Sequence, residues 1–184
     1  MRTIDRAKQR AIVEAVYDLT AEVGLVGISM SKVASAASVS PATIYIYYKD
    51  KTDLLSRMYE EVKDLMDRGL AEAVEAAAQL EDKVRVAQWH FIRRFQAHPR
   101  EARFLESVLV NSSLIDQRAL DYAAEQAAPI RQIFEALLQN PAYRGLTESV
   151  ATAFFSTPLR LAGTASDGEL ETAITMSLRA LKQR

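Results

Sequence analysis

The sequence predicts an all-α fold, and three observations predict it. Apolar residues recur at steps of three and four along almost all of the 184 residues. No run alternates apolar and polar residues for long enough to make a strand. The periodic runs are bounded by helix signals, with Ser, Thr or Asp at their starts and Gly, Asn or Pro between them. Apolar residues are 49% of the chain, enough for a sizeable core, while 26% charged residues and a net charge of −1 describe an ordinary soluble protein. There is no cysteine, which excludes disulfides and thiolate–metal sites. The start Met1-Arg2-Thr3-Ile4-Asp5-Arg6 is charged and leads into no apolar run, so it does not read as a signal peptide. No stretch stays apolar for the ~20 residues of a membrane span. A cytoplasmic, prokaryotic protein is the expectation.

The first helix is expected over Thr3–Val23, capped by Thr3, with Ile4, Ala7, Ala11, Ala15, Leu19 and Val23 on one face. Gly24 and Gly27 suit a left-handed stop and a tight connection. Ser29 caps a second, short helix whose apolar face is Met30, Val33, Ala34 and Ala37. Ser38-Val39-Ser40-Pro41 interrupts it. Ser40 is an N-cap signal, and Pro41 stands where its missing N–H costs nothing, so a third helix is predicted over Pro41–Lys49. Asp50-Lys51-Thr52-Asp53 resembles a capping box with Asp in place of Glu and opens a fourth. Its stripe of Leu54, Met58, Val62, Leu65, Met66, Leu70, Ala73 and Ala77 implies one helix on the order of 40 Å long. Further helices are predicted over Asp82–Ala97, Arg100–Ser112, Asp116–Gln139, Thr147–Ala162 and Asp167–Lys182. Pro129 should kink or split the third of these and Pro158 should kink the fourth. The domain boundary is placed at the start of the fourth helix, giving domains 1–51 and 52–184.

Gly24 to Leu55 carries the chemistry. Two short helices separated by a turn, behind a longer supporting helix, have the layout of a helix-turn-helix unit, whose second short helix enters the DNA major groove. Its leading end offers Ser40, Pro41, Ala42 and Thr43. Thr43 can hydrogen-bond a base edge or phosphate, and Pro41 and Ala42 are small enough to approach a thymine methyl. Tyr45 and Tyr47 carry phenols suited to phosphate oxygens, and Lys49 and Lys51 supply charge for the same backbone. Tyr45 and Tyr47 as ordinary surface aromatics, and Lys49 as a solvated charge, remain the alternatives. Ile44 and Val39 read as core. Residues 1–51 hold seven Lys/Arg against five Asp/Glu, a net +2 that leaves −3 for the rest, the sign expected of a DNA-facing end.

The run from Gly24 through Ser29, Val33-Ala34, Ser38-Val39-Ser40, Ile44-Tyr45-Ile46-Tyr47-Tyr48 and Lys51-Thr52-Asp53-Leu54 resembles the signature of TetR-family regulators. That pattern has a Ser/Thr cap, an Ile/Val-Ala pair, a Gly-Val-Ser turn, a Leu/Ile-Tyr-x-Tyr/His-Phe core and a Lys-Glu/Asp-x-Leu helix start. Two positions depart from it. Ser38 stands where the turn usually has Gly, which implies a strained or reshaped turn, and Tyr48 stands for the usual Phe, which needs a partner for its hydroxyl. The resemblance implies base contacts from Pro41, Ala42 and Thr43 and phosphate contacts from Tyr45, Tyr47 and Lys51, with Ser29, Ser40 and Lys49 completing the candidate DNA-binding set. It also implies a C-terminal helical ligand-binding and dimerisation domain.

Two features of the rest of the chain fit that implication. The last two helices carry Val150, Ala151, Phe154, Phe155 and Leu161, then Leu170, Ala173, Ile174, Leu178 and Leu181, which paired with symmetry mates would make a four-helix interface. Closing the monomer's own core is the competing use of those faces. The middle helices are rich in aromatic residues, which suit an apolar pocket with a few orienting polar groups. The candidate ligand-binding residues are Trp89, His90, Phe104, Val108, Asn111, Tyr122, Gln126 and Phe155, although plain core packing accounts for any one aromatic. The expected partners are a palindromic double-stranded DNA operator, a second copy of the chain and a small apolar or amphipathic ligand. No membrane, metal or cofactor is expected. An enzyme lacks support, because His90 and His98 are too far apart for a His-Glu-x-x-His motif and no Gly-rich phosphate loop or Gly-x-Ser-x-Gly elbow occurs. A helical adaptor would leave Tyr45, Tyr47 and Lys51 clustered around one short helix without a reason.

Overall fold

The computed structural model describes residues 5–182 and contains no strand among them. The helices are α1 (Arg6–Gly27), α2 (Met30–Ala36), α3 (Pro41–Tyr47), α4 (Lys51–Asp67), α5 (Leu70–Glu75), α6 (Leu80–Ala97), α7 (Pro99–Leu109), α8 (Gln117–Gln126), α9 (Ala128–Gln139), α10 (Glu148–Leu159) and α11 (Asp167–Leu181). Short 3-10 turns sit at Ser112–Leu114 and Pro141–Tyr143. The chain divides into two compact units. One is Met1–Asp64 with Arg100–Ala124, and the other is Leu65–Pro99 with Glu125–Arg184.

In the first unit, α2 packs between α1 and α3. The buried face of α1 is Ile12, Ala15, Val16, Leu19 and Leu25, and Val33, Ala34, Ile44 and Tyr48 close the core from α2 and α3. Phe104 of α7 is fully buried and meets the Tyr17 ring edge-on, 5.8 Å between centroids. Burying a side chain of that size contributes about 1.5–3 kcal/mol. Arg100 fixes the start of α7 to α1: its guanidinium bonds Glu14 and, at 2.5 Å, Asp18, and lies 5.6 Å from the Tyr17 ring centre. On the other side of the unit, Arg118 pairs with Glu60 at 2.8 Å and the Ser56 hydroxyl accepts from the Asp116 N–H at 2.9 Å.

In the second unit, α6 packs against α5, α9, α10 and α11. Its buried face is Val84, Ala87, Gln88, Phe91 and Ile92. Phe155 sits edge-on to Phe91 and Phe134, at 6.3 and 5.5 Å. Polar groups tie α6 to α11, with Arg93 forking onto the Asp167 carboxylate at 2.7 and 3.0 Å and the Trp89 indole N–H donating to Glu171 at 2.8 Å. Tyr143 is buried, and that burial, with Glu81 beside it, pushes its phenol up to about 12.

Several boundaries differ from those the sequence predicts. The N-cap of α1 is Asp5, whose carboxylate accepts from the Ala7 and Lys8 N–H groups at 3.0 and 3.3 Å; the expected cap Thr3 lies outside the described residues. Gly24 takes φ 66°, which breaks α1 locally before it closes at Gly27. The single long fourth helix is a correction: α4 ends at Asp67, and Gly69, at φ 84°, turns the chain into α5. The apolar stripe crosses that break because Leu70 and Val74 are still buried. The helix expected over Arg100–Ser112 ends at Leu109 and hands over to a 3-10 turn. The helix expected over Asp116–Gln139 is split into α8 and α9 next to Pro129, as a missing N–H requires.

Candidate nucleic-acid interface

The connection between α2 and α3 is built from caps. Ser29 accepts the Lys32 N–H at 3.3 Å and starts α2. At its other end Ser38 donates its N–H to Ser35 O at 3.1 Å, and Val39 donates to Ala34 O at 3.0 Å. That is a Schellman closure, whose pivot residue must be left-handed. The pivot is Ser38, at φ 54°, the one described non-Gly residue with positive φ. Two residues later Ser40 caps α3, its hydroxyl accepting the Thr43 N–H at 3.2 Å and lying 2.8 Å from the Thr43 hydroxyl. Pro41 follows at the first helical position. Four cap and turn signals therefore fall within a dozen residues and fix where α3 begins and how it leaves α2.

Ile44 and Tyr48, four residues apart, face the core at 0% and 3% exposure. The side of α3 turned away from the core is therefore Ala42, Tyr45 and Ile46, all exposed, with Pro41 exposed at its leading end and Lys49 exposed beyond its last residue, Tyr47, two short of the predicted end. Tyr45 is 57% and Ile46 46% exposed, large apolar surface for a seven-residue helix. Thr43 is half-buried and held by Ser40, and Val39 is half-buried. Tyr47 is half-buried; its phenol donates to Asp5 O and accepts from the Asp5 N–H, each at 3.2 Å, which ties the end of α3 to the start of α1. The hydroxyl of Tyr48, in place of the usual Phe, finds the Gln9 side chain, while burial pushes that phenol up. Arg57 lies over the Tyr48 ring at 5.8 Å.

Lys51 donates its ammonium to Val26 O at 3.2 Å, and Lys32 donates to Gly27 O at 2.9 Å. Two lysines thus converge on the last carbonyls of α1, where the helix end favours cations. Burial, with Lys32 nearby, holds Lys51 below its ordinary value. At the start of α4 the Asp50 carboxylate accepts the Asp53 N–H at 2.9 Å, as a capping box requires. The reciprocal bond is displaced by one residue, because Asp53 accepts from the Lys49 N–H at 2.9 Å instead. The Lys49 side chain is exposed. Lys32 and Ile46 were not singled out from the sequence. The available signal for Ile46 was the pair Ile44 and Tyr48, which fixes the core face and sets residue 46 on the far side. Nothing local marks Lys32.

The eight candidate ligand residues divide evenly between the units. In the first, Phe104 and Val108 are core, Asn111 donates to Ser107 O at 2.8 Å and the Tyr122 hydroxyl bonds Asp64. In the second, Trp89 bonds Glu171 under the Arg93 guanidinium, which lies 4.8 Å from its ring. His90 Nε2 is 2.8 Å from Met66 O, Gln126 is half-buried and Phe155 is core. The polar residue at the centre of the second unit is one the sequence did not flag. Gln88 is fully buried, donates to Phe155 O at 3.1 Å, and its Oε1 has no hydrogen-bond partner. Among the described residues no group of three or more His, Asp or Glu side chains is arranged to hold a metal ion, and no helix is long and apolar enough to cross a membrane.

Comparison with known proteins bears on the same segment. The sequence profile described as bacterial regulatory proteins, tetR family, matches residues 12–58. A fatty acid metabolism regulator protein of Bacillus subtilis (strain 168) is 31% identical over 79 residues, 43% of this chain and 41% of that relative, so the match spans less than half of the relative's length. Among solved structures, a TetR family transcription regulator from Marinobacter aquaeolei VT8 is similar with a TM-score of 0.79 and 24% identity over 100% of both chains. A TetR family protein from Vibrio parahaemolyticus has a TM-score of 0.68 and 23% identity over 96% of this chain and 100% of its own. At these identities the structural likeness establishes the fold.

Proposed function

We propose, from the match of residues 12–58 to the profile of tetR-family bacterial regulatory proteins, that this chain is a dimeric DNA-binding repressor that a small ligand releases. The observation that carries the DNA-binding part is the outward side of α3, held by the Ser40 cap and the Ser38 turn and left uncovered by its own unit. Residues 1–51 form the DNA-reading domain of this proposal, and 52–184 the ligand-binding and dimerisation domain. Pro41, Ala42 and Thr43 approach base edges, while Tyr45, Tyr47, Lys49 and Lys51 hold phosphates, with Ser29 and Ser40 setting the helices that present them. Lys51 keeps two ammonium hydrogens for phosphate beyond its bond to Val26 O. Tyr47 must exchange Asp5 O for a phosphate oxygen to donate there.

A dimer sets two α3 helices in successive major grooves, about 34–36 Å apart on a palindromic operator. Its support is the outward side of α11, where Met176 is exposed and Thr172, Ala173 and Met176 line an open groove, together with the exposed Val150 of α10 and Leu161 just beyond it. The ligand part has its support in Gln88. A buried amide oxygen without a partner costs about 1–3 kcal/mol. A ligand donor that reached Gln88 Oε1 would remove that cost, and Trp89, His90, Gln126 and Phe155 are the candidate ligand residues of the same unit. Ligand binding then favours one spacing of the two α3 helices over another and so changes DNA affinity. The protein acts in the cytoplasm, where its DNA is.

Selection of bound DNA from a random pool tests the reading. A recovered palindrome supports it, and recovery of no sequence preference overturns it. Replacing Tyr47 and Lys51 with Ala should lower affinity across all sequences and flatten the dependence of log affinity on log salt by about one, since the lost Lys51 charge removes about 0.9 from the slope while the neutral Tyr47 phenol changes affinity without changing the slope. Unchanged affinity and slope reject the phosphate assignment.

A further inference from the structure

We infer that Ile46 is a sequence-reading residue of this regulator and that the group it reads is the C5-methyl of a thymine in the major groove. The inference rests on the DNA-binding reading of α3 and says which of its side chains discriminates and by what chemistry. Ile46 is 46% exposed on a helix whose opposite side, Ile44 and Tyr48, is buried. An exposed β-branched residue in a helix is a poor helix former, and nearly half of the Ile46 surface is apolar area left in water, from which its own fold gains nothing. Four residues before it on the same face stands Ala42, also exposed. Together they form an apolar strip along the groove-facing side, flanked by Tyr45.

The hydrogen-bonding groups near that strip are already engaged. The Thr43 hydroxyl lies 2.8 Å from the Ser40 hydroxyl and its residue is half-buried, while the Tyr47 hydroxyl lies against the Asp5 backbone here and goes to a phosphate oxygen on DNA, so it reads no base. The face turned outward is therefore short of free donors and acceptors except the Tyr45 phenol and the Lys49 ammonium. In the major groove only one base-edge group matches an apolar strip, and that is the thymine methyl. A guanine or adenine edge presented to Ile46 would lose water without gaining a partner, which disfavours those bases at the same position.

The test separates this inference from the reading beneath it. The operator recovered from the random pool is resynthesised with each thymine in turn replaced by deoxyuridine, which removes the methyl and nothing else. Affinity of the wild-type chain and of Ile46→Ala is measured on every version, with Ile46→Val as a variant that keeps a branched apolar group. Removing the buried methyl should weaken wild-type binding about fourfold at one position per half-site, the effect of about one buried carbon. Ile46→Ala should be insensitive to deoxyuridine at that position and keep the wild-type penalties elsewhere, and Ile46→Val should keep part of the effect. If Ile46→Ala binds the operator and shows the same penalties as wild type at every position, the inference is overturned while DNA binding stands. If no operator is recovered, the DNA-binding reading fails and the inference with it. Ile46 is exposed, so the thermal midpoint of both variants should match wild type and exclude misfolding as the cause.

Discussion

At Ser38 a residue with a Cβ occupies a left-handed backbone position, φ 54°, because the Schellman closure of α2 leaves no other way to satisfy Ser35 O and Ala34 O and still aim the chain at the Ser40 cap. An L side chain in that region costs roughly 1–2 kcal/mol, part of which glycine would return as a larger unfolded-state entropy. Replacing Ser38 with Gly should therefore stabilise the protein by about 0.5–1 kcal/mol, read as a raised urea midpoint with an unchanged slope. Ser38 is exposed, so little packing is lost with its hydroxymethyl group. A lowered midpoint would mean that the turn depends on the serine. Gly24 poses the converse case: at φ 66° and ψ 167° it occupies a region that glycine alone enters freely, and its surroundings are open.

Helix starts in this chain are written in short-range chemistry. Ser166 and Glu169 cap α11 reciprocally, the Ser166 hydroxyl accepting the Glu169 N–H at 3.4 Å and Glu169 accepting the Ser166 N–H at 2.8 Å. Replacing Ser166 with Ala should cost about 1 kcal/mol. The Ser166 hydroxyl and N–H hold the Glu169 carboxyl below its ordinary 4.5, and Arg93 holds Asp167 below 3.8. Both folded values are depressed, so their contribution is present above the ordinary carboxylate range and is lost as the pH falls through the lowered folded values. The stability gap between wild type and Glu169→Gln should thus be open at pH 7 and close as urea midpoints are followed below about pH 4. A gap that stays constant with pH would contradict the cap. The same short range explains what was legible. Ser29, Ser40 and the start of α3 could be read from the sequence because a cap needs only its next three residues. The break at Gly69 was not legible, because Leu70 and Val74 keep the α4 apolar period across it. Neither Lys32 nor Ile46 stood out, since their roles depend on the end of α1 and on which side of α3 the core covers. The scatter of the eight ligand candidates has the same origin: aromatic content marks burial, and burial alone does not say which unit a side chain joins.

For the molecule as a whole, the proposal needs two copies. One seven-residue helix offers few base contacts, and a single half-site gains too little over non-specific phosphate binding to pick its target from a genome. The outward side of α11 is where a second copy is expected. Along α11 the buried side is Leu170, Ile174, Ser177, Leu178 and Leu181, while Thr172 and Met176 are turned outward and Ala173 is half-buried between the two sides. Met176 is 64% exposed in the single chain, so a charge placed there is solvated in the monomer and should change its stability within about 0.5 kcal/mol. In a dimer packed through this face the same charge, and its symmetry mate, would be buried without a partner. Met176→Glu should therefore sediment as one chain at a concentration where wild type sediments as two. It should lose affinity for a two-half-site operator and bind it no better than an isolated half-site, with its thermal midpoint following the loss of association rather than of fold. If Met176→Glu keeps the two-chain mass, the interface lies elsewhere. If the wild-type chain itself sediments as one, the paired-groove mechanism fails, and α3 would have to find its sites with one helix at a time.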